Sequence, residues 1–158
     1  MNGTVYVLIF DDSIDKIRQA KMLVYSAIRR INDSSGNGTS LEHSIDIATD
    51  PHGALNLLKE KQYTIMFMGY VPSKSGIGAY EVGQIINGTY QRPRPSRIDE
   101  SNKGLYAVGF STIWCGGIDS SEMHPLFRGV IDDAINPEIK DDLETRFEQS
   151  IRRAITPK

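Results

Sequence analysis

The chain has a single cysteine, Cys115, so no internal disulfide can form, and the count fits a reducing compartment. It has no charged-then-apolar leader at its N-terminus, and no apolar run approaches the roughly 20 residues that span a bilayer. It has no excess of basic charge. The net charge of −2 over 158 residues gives no global field for nucleic acid and no acidic tail. His43, His52 and His124 lack metal-ligand spacing and have no Ser or Cys arranged with them as a triad. What remains is an ordinary globular composition, 39% hydrophobic and 24% charged, with length for one core. The expectation is a single cytoplasmic domain covering residues 1–158.

Apolar runs and turn signals alternate regularly along that length. Strands are predicted at Thr4–Phe10, Ser44–Ala48, Thr64–Met68, Leu105–Ser111 and Val130–Ile135. The first helix runs from Ser13 or Ile14 to about Asn32, with Ile17, Ala20, Val24, Ala27, Ile28 and Ile31 on one stripe. Asp50-Pro51 supplies an N-cap and a first-turn proline for the second helix. The third spans Ala79–Ile86 and stops at Asn87-Gly88. A short helix is expected within Asp119–Arg128. The last follows Asn136-Pro137 with Leu143, Phe147, Ile151 and Ile155 inward. Strands alternating with helices favour a parallel sheet covered on both faces, doubly wound in the order 2-1-3-4-5. That order brings the ends of strands 1 and 3 to one crevice, where Asp11 and Asp12 close the first strand and Met68 the third.

At these residues the chain resembles the receiver domain of two-component response regulators, a flavodoxin-like fold. Asp11-Asp12 is similar to the family's metal-binding acid pair. ATDPHGAL (Ala48–Leu55) is similar to its second strand–helix junction. Pro72 and Gly76 have the spacing of its loop after the phosphoacceptor, and GVIDDAINP (Gly129–Pro137) matches its segment ending in Lys-Pro. The resemblance implies a phosphoacceptor aspartate four residues before the loop proline, and that position is Met68. It also implies a lysine where Asn136 stands and an aromatic switch where Asp133 stands. The hydroxyl after strand 4 survives as Ser111 or Thr112. A thioether is no phosphoryl acceptor, and receiver chemistry needs a carboxylate nucleophile, an oxygen-held magnesium ion and a counter-cation.

The implied protein is a degenerate pseudo-receiver: not an enzyme, needing no cofactor, with weak magnesium binding by Asp11 and Asp12 at most. Met68 would relieve the repulsion of three clustered carboxylates and leave the crevice pre-set without metal. With no output domain expected after the last helix, a signal would pass to a separate protein. The resemblance makes that a sensor kinase, a phosphotransfer protein or another regulator, with no nucleic acid or membrane involved. Contact would fall on the face of strand 4, segment 119–128, strand 5 and the last helix. Arg92, Arg94 and Arg97 in QRPRPSR, and Trp114, are candidate contact residues; the plainer accounts are a solvated loop and a sheet-edge cover. Gln91–Lys103 is expected to be the least ordered internal segment. Two other readings stay open: a small-molecule pocket lined by Met68, Ser111, Thr112 and Asn136, and a phosphoacceptor displaced from the position read here.

Overall fold

A computed structural model of the chain describes residues 3–34, 40–72, 77–88, 102, 105–110, 129–131 and 140–156. Its elements are β1 (Gly3–Phe10), α1 (Ile14–Ser34), β2 (Leu41–Ala48), α2 (Pro51–Glu60), β3 (Ile65–Met68), α3 (Ala79–Asn87), β4 (Tyr106–Phe110), β5 (Gly129–Ile131) and α4 (Lys140–Ile155). The strands form one parallel sheet in the order β2-β1-β3-β4-β5. This is the doubly wound α/β arrangement read from the apolar runs.

Alternation along the strands sorts the core into two layers. Leu8, Phe10, Met66, Met68 and Ala107 face α2 and α3. Val7, Ile9, Ile65, Phe67, Val108 and Phe110 face α1 and α4. On the second side the Phe147 ring stacks on Phe67 at 4.4 Å and meets Phe110 edge-on at 5.0 Å. Strands hidden on both faces explain the unbroken apolar runs.

Local signals act as their chemistry demands. Asp50 caps α2, its Oδ1 accepting the Gly53 N–H at 2.7 Å, with Pro51 opening the helix. Glu81 Oε1 accepts the Gly78 N–H at the start of α3. Gly88 closes that helix in the left-handed region at φ 74°, which glycine reaches without a Cβ penalty.

Some boundaries differ from expectation. β2 begins at Leu41, not Ser44, because Glu42 and His43 lie on an exposed edge strand where polar residues are no bar to pairing. Asn32 fixes that start, its Oδ1 accepting the Leu41 N–H at 2.8 Å and its Nδ2 donating to the Leu41 carbonyl at 3.1 Å. α4 begins at Lys140, and Glu148 pairs with Arg152 one turn on at 3.0 Å. The Asp142 side chain, the predicted 119–128 helix and the end of strand 5 past Ile131 lie outside the described residues. So does most of Gln91–Lys103. Within that segment Asn102 is fully buried, accepting the Tyr63 N–H and donating to the Leu58 and Lys61 carbonyls. No helix among the described residues is long and apolar enough to cross a membrane.

Candidate functional site at the carboxyl edge

The register sets the geometry. Phe10 pairs with Met68 across β1 and β3, and the Gly69 N–H donates to the Phe10 carbonyl at 2.8 Å. The next residue on β1, Asp11, therefore lies beside Gly69, just past the end of β3. Asp11 is 4% exposed. Its Oδ1 accepts the Ser13 N–H at 3.0 Å, and its carboxylate lies so close over Gly69 that a Cβ there would collide with it. Ser13 in turn accepts the Lys16 N–H at its Oγ, capping the first turn of α1. The helix N-terminus is thus tied to Asp11. Asp12, the other member of the acid pair, is exposed.

Burial raises the Asp11 carboxyl above its ordinary value of 3.8; the Ser13 N–H and the Lys16 charge oppose the shift, and Asp12 adds to it. A second buried polar group lies at the other side of α2. The Tyr63 hydroxyl donates to Asp46 Oδ2 at 2.8 Å, beside Lys61 at 3.1 Å, and burial with that bond pushes its pKa up.

Met68 is fully buried, packed in the layer that holds Phe10, Ala48, Ala54 and Val71. Asp11 and Met68 are brought to neighbouring strand ends, but they present no common set of oxygens. Ser111, Thr112, Asp133, Asn136, Arg92, Arg94, Arg97 and Trp114 lie outside the described residues. Gly69 and Asn102 are the structural residues sequence reasoning missed. A glycine after an apolar run announces no contact, and an asparagine in a polar segment reads as loop.

No protein-family model and no curated protein sequence matches the chain. Solved structures do. The receiver domain of a sensor histidine kinase from Pseudomonas aeruginosa aligns over 92% of this chain and 98% of its own, at TM-score 0.60 and 8% identity. The fold is that of a receiver domain. A two-component response regulator from Clostridium difficile matches over 96% of this chain and 99% of its own, at TM-score 0.60 and 15% identity. A chemotaxis response regulator of Vibrio cholerae matches over 94% and 98%, at 0.58 and 16%.

The Pseudomonas receiver carries a magnesium ion in its active-site cleft. The donors described here do not fit one tightly. Magnesium demands near-octahedral oxygen ligation. Asp11 is committed to Ser13 and lies on Gly69, Asp12 faces solvent, and Met68 brings no oxygen. Among the described residues no group of three or more His, Cys, Asp or Glu side chains could hold a metal ion.

Proposed function

We propose that this chain is a receiver-fold signalling module that works without phosphorylation, by binding another protein. The observation that carries this reading is Met68. It stands at the end of β3, in register with Phe10 and wholly inside the α2–α3 layer. A phosphoryl acceptor there would need an oxygen nucleophile open to solvent; Met68 has neither the oxygen nor the opening. A slip of one residue does not help, since Gly69 has no side chain. The module is non-enzymatic and needs no cofactor, with at most weak magnesium binding at Asp11 and Asp12. It acts in the cytoplasm, with no nucleic acid or membrane as partner. The similar structures include a sensor kinase receiver and response regulators, so the partner class is a sensor kinase, a phosphotransfer protein or another regulator of such a pathway. Arg92, Arg94, Arg97 and Trp114 are the side chains to alter in mapping its contacts.

A small-molecule sensor built on the crevice would need Met68 to line a pocket, and its full burial weighs against that. The deciding experiment is intact-mass analysis after incubation with acetyl phosphate and magnesium. The mass is expected to stay unchanged, while a stable gain of one phosphoryl group overturns the proposal. In parallel, a pull-down from the native cell is expected to recover a specific signalling protein.

A further inference from the structure

The outward face of α1 carries a charge pattern, from Asp15 through Met22 to Arg29, that no ion pair among the described residues uses. α4 covers α1 toward its C-terminal half, where Arg30 donates to Glu144 at 2.8 Å and Arg152 to Ser34 at 2.6 Å. Beside the earlier turns a groove of ≈700 Å³ stays open, lined among others by Gln19, Met22, Leu23, Ser26 and Leu143. On its edge Met22 is 71% exposed, the most exposed large apolar side chain among the described residues.

We infer that this face binds a second copy of the chain, α1 against α1 in antiparallel orientation, with the two-fold axis at Met22. A two-fold interface must be self-complementary: a residue a given number of places before the axis meets the one the same number after it on the other copy. Asp15 lies seven before Met22 and Arg29 seven after. Seven residues are close to two helical turns, so all three share one face. Arg18 and Ser26 match at four places, and Gln19 and Tyr25, itself exposed, at three. Asp15 and Arg29 are about 21 Å apart along the helix at its usual rise, too far to pair within one chain. Both are exposed, and among the described residues neither makes an ion pair. In the dimer they pair twice. A partner must carry a base at one end and an acid at the other, in reversed order. This helix turned end for end supplies that order. The pliable Met22 side chains pack at the axis and reach the two grooves. One helix pair sits at the small end of interface sizes, so association is concentration-dependent.

Sedimentation velocity across a micromolar-to-millimolar series tests this. The parent is expected to pass from monomer to dimer. Asp15→Arg alone and Arg29→Asp alone each place like charges opposite one another twice, weakening the dimer by about tenfold or more. The double variant Asp15→Arg with Arg29→Asp restores opposite charges and returns the dissociation constant to within about threefold of the parent. Both residues are exposed, and unchanged melting temperatures confirm that each variant is folded. A chain monomeric at millimolar concentration, a dimer indifferent to the single changes, or a double variant no tighter than the singles each overturns the proposal. The first outcome leaves the face to a different protein; the other two place the axis elsewhere.

Discussion

The carboxylate of Asp11 occupies the space that a side chain on residue 69 would need. That contact joins the ends of β1 and β3 and, through the Ser13 N–H, the start of α1. Gly69→Ala therefore forces Asp11 off its bond. Overpacking of this kind costs about 1–3 kcal/mol. Denaturant titration of Gly69→Ala, Asp11→Ala and the pair should show a coupling of about 1 kcal/mol or more, with the pair more stable than the sum predicts. Strict additivity would mean that the two residues do not touch.

The raised Asp11 carboxyl has a defined pH signature. A folded-state value above the ordinary 3.8 means that the folded chain holds this proton more tightly than the unfolded chain. The group's effect is thus least harmful at low pH, and stability falls as pH rises through the window above 3.8. Asp11→Asn stays neutral throughout and can still accept the Ser13 N–H. Its melting temperature relative to the parent should rise as the pH climbs above 3.8, and level once the folded carboxyl is ionised. A gap that shrinks over that range would reverse the assignment.

Met68→Asp places a charge in an apolar layer beside an already buried acid. Such uncompensated charges cost about 3–5 kcal/mol. With Asn136→Lys added, magnesium should stabilise the variant far more than the parent, because three acids then repel in its absence. Calorimetry showing equal magnesium affinity in parent and double variant would remove Met68 from the phosphoacceptor position.

Asn102 satisfies two carbonyls at the end of α2 and one amide before β3. Asn102→Ala leaves these buried groups unpaired, a loss of about 3 kcal/mol. Hydrogen exchange at the Tyr63 amide should accelerate well beyond that at Phe67, since the damage is local. Uniform acceleration would instead point to global loosening.

The strands and their order were legible because VLIF, IMFM and AVGF are apolar on both faces and alternate with helical stretches, which a helix-covered parallel sheet accommodates. Asp50-Pro51 and Asn87-Gly88 were legible because capping is a local transaction between neighbours in sequence. The polar start of β2 was not, since an edge strand such as LEHS has no apolar alternation to betray it. Met68 could be placed at a strand end from the apolar run and the loop proline. That Asp11 rests on Gly69 could not, because it depends on the register between strands 58 residues apart in pairing (65 − 7). Asn102 stayed hidden for the same reason, its partners lying 39 to 44 positions away.

The Phe147 ring, seated on Phe67 and Phe110, also has a meaning in the order of synthesis. Every strand of the sheet is made before α4, so one face of β3 and β4 waits uncovered until that helix emerges. At about 5–20 residues per second the 16 residues of α4 take on the order of 1–3 s. During that interval the nascent chain shows an apolar surface of the kind chaperones recognise. A chain released without Lys140–Ile155 would keep that surface uncovered.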